Sequence, residues 1–115
     1  MSATEAQGAL DRIRGIIVVT LNGEQITVKF GINALALLEE LIGPVTAEKL
    51  ALHGTFRSMA YAGLFCGGKF SGKPWELDIW DTGDVIDQLS KEDRDAIVKA
   101  FVDSMPRKAS EEKKN

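Results

Sequence analysis

Ile16-Ile17-Val18-Val19-Thr20-Leu21-Asn22-Gly23-Glu24-Gln25-Ile26-Thr27-Val28-Lys29-Phe30 decides the fold. Two runs rich in β-branched residues flank Asn22-Gly23, and a type I′ turn needs two central residues that tolerate positive φ. Asn-Gly is the pair best suited to that demand. A two-residue loop fixes the register: Leu21 faces Glu24, Val19 faces Ile26 and Ile17 faces Val28. Side chains alternate along a strand, so Ile17, Val19, Leu21, Ile26, Val28 and Phe30 share one face. Helices are expected to cover that face, because a two-stranded ribbon alone is marginal in water. The opposite face carries Thr20, Gln25, Thr27 and Lys29, and with them Ile16 and Val18.

Past Phe30 the apolar spacing becomes helical. Asn33 is expected to cap a helix to about Ile42, with Gly43 as its left-handed stop and Pro44 beyond. Leu35, Leu38, Leu41 and Ile42 recur at helical spacing along it. Thr46 stands where it would cap a short helix to about Leu52. Thr55 would cap another from Phe56 to about Cys66, closed by Gly67-Gly68, with Phe56, Met59, Ala60, Gly63 and Leu64 as its apolar set. The glycine-rich stretch 67–74 reads as a loop. Thr82 opens a short helix to about Leu89. Ser90 with Asp93 resembles a capping box, Asp standing for the usual Glu, ahead of a last helix over 91–105. Its expected buried stripe is Ile97, Val98, Phe101, Val102 and Met105. An N-terminal β-hairpin followed by four to five short helices is an α+β domain.

Working outward, residues 1–14 mix small and charged side chains and are expected to be a flexible lead-in. Residues 106–115 hold no large apolar side chain and read as a disordered charged tail, which leaves a globular domain over 15–105. A chain of 115 residues fits one domain. Its 44% apolar and 27% charged residues place it with globular rather than disordered chains. A net charge of −3 without a clustered basic face argues against nucleic acid as a partner. No apolar stretch is long enough to span a bilayer, and residues 1–14 lack the apolar centre of a secretory signal. The single cysteine, Cys66, has no internal disulfide partner, so a reducing cytoplasm is the expected compartment.

No set of residues for catalysis, cofactor binding or metal ligation emerges. His53, beside Gly54, is expected at a helix C-terminus, where its positive form would meet the negative end of the dipole. Cys66 reads as a small buried hydrophobe at a helix end. Gly72-Lys73 imitates the end of a phosphate loop, but Pro74 stands where Ser or Thr is required and the preceding element is helical. The acidic run Glu76, Asp78, Asp81, Asp84 and Asp87 fails as a calcium loop, since counting from Asp78 places Leu89 at the position of the bidentate Glu. Trp75 and Trp80 are expected to plug the loop against the core; an exposed pair would instead mark a protein interface.

The run Thr27-Val28-Lys29-Phe30-Gly31-Ile32-Asn33-Ala34-Leu35-Ala36-Leu37-Leu38-Glu39-Glu40-Leu41-Ile42-Gly43 resembles the core signature of tail assembly chaperones of long-tailed phages. In that family a hairpin passes through a Phe-Gly-type step into a helix reading Ala-Leu-x-x-Leu-Glu-Glu. A second helix follows with a motif like Tyr61-Ala62-Gly63-Leu64, then an acidic turn with a short helix like Asp84-Val85-Ile86-Asp87, then a last helix. The resemblance covers residues 16–105. It implies a non-enzymatic cytoplasmic protein of an infected or lysogenic bacterium, without cofactors. Such a protein binds the tape measure protein, helps recruit tail tube subunits and is absent from the finished particle.

A holder of a helical client needs exposed apolar surface on a stable frame, often through self-association. Ile16, Val18, Leu37, Trp75 and Trp80 are the candidate partner-binding residues. Two other readings stand beside this one. The first is a structural head–tail connector or tail completion protein. The second is a small ligand-binding or enzymatic domain centred on Cys66 and His53.

Overall fold

The computed structural model describes residues 15–105. The lead-in over 1–14 and the tail over 106–115 lie outside the described residues. Strands β1 (Ile16–Leu21) and β2 (Glu24–Lys29) pair antiparallel, with Leu21 opposite Glu24, Val19 opposite Ile26 and Ile17 opposite Val28. Asn22 and Gly23 take φ values of 51° and 78°, as the two-residue turn requires. Phe30 stands just beyond β2, yet its N–H still donates to the Gly15 carbonyl at 3.0 Å. Val19, Leu21, Val28 and Phe30 are buried, and Ile17 and Ile26 pack beside them.

Among the described residues four α-helices and one 3₁₀ turn follow the hairpin: α1 (Ile32–Ile42), the turn (Lys49–Ala51), α2 (His53–Ser71), α3 (Ile79–Ile86) and α4 (Lys91–Ser104). The architecture is α+β in the expected order. Leu38 and Ala34 of α1, Met59, Ala60, Ala62 and Leu64 of α2, Ile86 of α3 and Ile97 and Phe101 of α4 close over the covered face of the hairpin. The rings of Phe30 and Phe101 meet edge-on at 5.5 Å, which ties the end of the hairpin to the last helix.

Several boundaries differ from the sequence expectation, each for a local reason. Asn33 is exposed inside the first turn of α1, and Gly31 in extended geometry precedes the helix. Thr46 does act as a cap, its hydroxyl accepting from Lys49 N–H at 3.3 Å, but it caps a single 3₁₀ turn. Thr55 and Thr82 are buried within helices rather than opening them. The cap of α3 is Asp78, whose carboxylate accepts from Asp81 N–H at 2.8 Å. Of the stripe expected on α4, Ile97 and Phe101 are buried with Ala100, and Met105 packs beside the core. Val98 and Val102, one step round the helix, face solvent.

The largest correction is α2, which runs through Gly67-Gly68 for 19 residues and stops at Gly72 with φ 80°. The glycines serve close approach rather than a loop. A Cβ at Gly63 would stand 2.6 Å from Val28 Cγ1, and one at Gly67 would run into the Thr27 carbonyl. Strand β2 therefore lies almost on the backbone of α2. Each helical glycine costs about 1 kcal/mol in propensity, and the burial of Val28 and Phe30 against that smooth surface offsets it.

Ser90 caps α4 by accepting from Asp93 N–H at 3.1 Å. Asp93 does not return the bond to Ser90: its carboxylate accepts from Thr20 N–H on the open edge of β1, at 3.1 Å. From there α4 runs back along β1 until Ser104 meets Gly15, where a Cβ would lie 3.1 Å from the Ser104 Cβ. The arrival of α4 at the start of β1 coincides with the burial of Ile16, which is only 8% exposed despite its place on the outer face of the hairpin.

Candidate protein interface

Arg57 organises the most unusual surface. It lies on α2 opposite α3, where Trp80 and Gly83 are three residues apart and share a helix face. The stem of Arg57 crosses Gly83, at which a Cβ would stand 3.0 Å from Arg57 Cδ. Its guanidinium then lies over the Trp80 ring, 4.6 Å from the centroid. Trp80 is 69% exposed, so the stack is a surface feature and not a plug in the core. Arg57 Nε is buried and has no hydrogen-bond partner among the described residues.

Two depressions meet at Arg57 and Gly54. One, of about 400 Å³, is lined by Leu41 and Ile42 at the end of α1, by Leu52, and by Ile79 at the start of α3. Leu52 is 59% and Leu41 41% exposed, so the apolar floor is open to solvent. Lys49 also lines it, and its ammonium donates to the Ile42 carbonyl at 2.7 Å, closing the end of α1. The other depression, of about 270 Å³, is lined by His53, Phe56, Ile86, Asp87 and Arg94. Arg94 Nη2 donates to the carbonyls of Asp87 at 3.3 Å and Ile86 at 3.4 Å, and lies 3.8 Å from the Asp87 carboxylate.

The other predicted residues do not join this surface. Val18 is 55% exposed on the outer face of the hairpin. Ile16 is buried and unavailable to a partner. Trp75 packs against the core and its indole N–H donates to the buried Thr82 hydroxyl at 2.8 Å. The two tryptophans therefore divide, one in the frame and one on its surface.

Leu37 is half-buried in a groove of about 560 Å³ beside Cys66, Phe65 and Phe70. Lys29 and Lys69 lie over the Phe70 and Phe65 rings of that groove at 5.8 and 5.3 Å. Burial pushes the Cys66 thiol above its ordinary value, and the nearby charges of Lys29 and Lys69 oppose this more weakly. His53 is the first residue of α2 and not the last of a helix, so it meets the positive end of the dipole. Cys66 lies thirteen positions further along α2, about 20 Å along the axis. The two cannot form a nucleophile–base couple.

Comparison of the chain with known protein families, curated proteins and solved structures finds no match. The surface itself must carry the functional reading. Among the described residues no cluster of His, Cys, Asp and Glu could hold a metal ion, and no helix is long and apolar enough to cross a membrane. Leu41, Leu52 and Arg57 were not singled out from the sequence. Leu41 falls within the periodic stripe of α1, and nothing local marks Leu52 or Arg57 as surface residues until α3 folds back beside α2.

Proposed function

We propose that this chain is a phage tail assembly chaperone that holds the tape measure protein and helps recruit tail tube subunits. The observation that carries the reading is the exposed Trp80, stacked on Arg57 and flanked by the open apolar floor of Leu41, Leu52 and Ile79. Exposed tryptophan and arginine beside apolar side chains are the composition of a protein-binding hot spot. They stand on a frame whose core is otherwise closed, which suits a holder of hydrophobic helices. The resemblance of residues 27–43 and 61–64 to the chaperone signature supports the same reading. So does the sequence of elements, hairpin and then helices.

The test is co-expression with the tape measure protein encoded in the same phage or prophage. The two proteins should purify together, and Trp80→Ala should weaken the complex while leaving the fold intact. Purified particles should lack the chain. A chain found at fixed stoichiometry in particles, without a tape measure complex, would assign it to the head–tail connector or tail completion class.

A further inference from the structure

The two depressions around Arg57 carry more positive than negative side chains. Their linings bring Lys49, Arg57 and Arg94 together against a single carboxylate, Asp87, on a protein whose net charge is −3. Two of the three cations already have acceptors. Lys49 is held by the Ile42 carbonyl, and Arg94 by two backbone carbonyls and the nearby Asp87 carboxylate. Arg57 differs: among the described residues its guanidinium has no hydrogen-bonded acceptor, and because Nε is buried the N–H groups open to a partner are those of Nη1 and Nη2. Its position is nonetheless fixed, by Gly83 beneath the stem and Trp80 against one face of the guanidinium. A stacked guanidinium keeps the edge of its plane for hydrogen bonding, and that fork of parallel N–H groups matches the two oxygens of a carboxylate.

We infer that the partner of this surface is an acidic amphipathic helix, and that Arg57 is the receptor for one of its Glu or Asp side chains. This rests on the reading of the Trp80 face as a partner-binding surface. The apolar side chains of the helix fill the floor between Leu41, Leu52 and Ile79. Its carboxylate, one turn away on the same face, reaches the guanidinium, with Arg94 behind it as a second positive charge. A helix presents both groups together because residues three and four apart lie side by side. The positive lining selects the acidic partner, and the Trp80 stack holds the receptor ready, so that less side-chain freedom is lost on binding.

Three labelled synthetic helical peptides test this against the full chain by fluorescence anisotropy. They share one Leu-rich face and differ only one turn from it, where they carry Glu, Gln or Lys. The Glu peptide should bind about tenfold more tightly than the Gln peptide, the Lys peptide most weakly, and the Glu advantage should shrink with added salt. The Arg57 Nη–H resonances should shift on saturation with the Glu peptide and stay in place with the Gln peptide. Arg57→Met, which keeps the stem over Gly83, should abolish the preference without lowering the melting temperature by more than a few degrees; Arg57→Lys should retain part of it. Equal affinity for Glu and Gln peptides, a preference that survives in Arg57→Met, or no binding by any peptide would each overturn the inference. A tape measure complex that forms without any Glu preference removes this inference alone. A Glu preference without a tape measure complex removes the proposed function and leaves the acidic-helix site standing.

Discussion

Two glycines of α2 separate the roles that one residue type can play. A methyl group at Gly67 meets the Thr27 carbonyl, a backbone atom that cannot step aside without moving β2. At Gly54 the same methyl meets nothing within 4 Å. Gly67→Ala is therefore expected to destabilise by about 3 kcal/mol, the upper end for overpacking a filled site. Gly54→Ala should stabilise by up to about 1 kcal/mol through helix propensity. Urea denaturation of the two variants gives the signs, and equal effects would mean that β2 does not lie on α2 as described.

Cys66 supplies a second residue-scale test. Its thiol is raised by burial, with Lys29 and Lys69 opposing. Alkylation by iodoacetamide should accelerate at a higher pH in the folded protein than in urea, because the thiolate is the reactive form. The sign for stability follows from the same shift. The folded state holds its proton more tightly, so the contribution is complete below the pH at which the unfolded thiol titrates and fades above it. Near neutral pH the thiol is protonated in both states, so it gives stability no dependence on pH there.

At the scale of elements, Asp93 joins two of them with one carboxylate. Its N–H is taken by Ser90 and its side chain by Thr20 N–H on β1. Asp93→Ala should cost about 1–2 kcal/mol, combining a lost acceptor with a lost charge in the first turn of α4. Asp93→Asn keeps an oxygen for Thr20 and should cost clearly less, measured by the same denaturation. If Asn costs as much as Ala, the charge matters and the strand contact does not. The exposed pairs Lys91–Asp95 and Lys99–Asp103 on α4 should contribute little and fade with salt.

Asp93 also marks where local pattern stops being informative. The hairpin register was readable because Asn22-Gly23 and the alternation of Val19, Ile26 and Val28 are local signals that agree. The caps at Ser90 and Thr46 were readable for the same reason. Gly67-Gly68 read as a loop because propensity penalises glycine, and only the approach of β2, some forty residues earlier in the chain, makes glycine the residue that fits. Ile16 read as exposed because β1 alone defines two faces, whereas α4 returns to the start of that strand. Of the candidate site, Trp80 was visible as a type of residue. Its stack on Arg57 was not, since it depends on how α3 folds back on α2.

At the scale of the whole molecule, frame and face can be told apart by opposite responses to substitution. The frame is the cluster in which Leu38, Phe30, Ile97 and Phe101 are at most 1% exposed. Removing a large buried side chain from such a cluster costs about 3–5 kcal/mol, a large share of the roughly 5–15 kcal/mol that holds a domain together. The face is Trp80 at 69% exposure and Leu52 at 59%, where truncation should change stability by no more than about 0.5 kcal/mol. Phe101→Ala is therefore expected to lower the denaturation midpoint steeply. Its residual folded fraction should still bind partner with ordinary affinity, since Phe101 lines neither depression at Arg57. Trp80→Ser with Leu52→Ser should do the reverse, melting like the parent and binding weakly, because hot-spot side chains act through desolvated contact with the partner. If the double variant instead unfolds as readily as Phe101→Ala, Trp80 belongs to the frame, and the surface around Arg57 is a seam of the fold with no partner to receive.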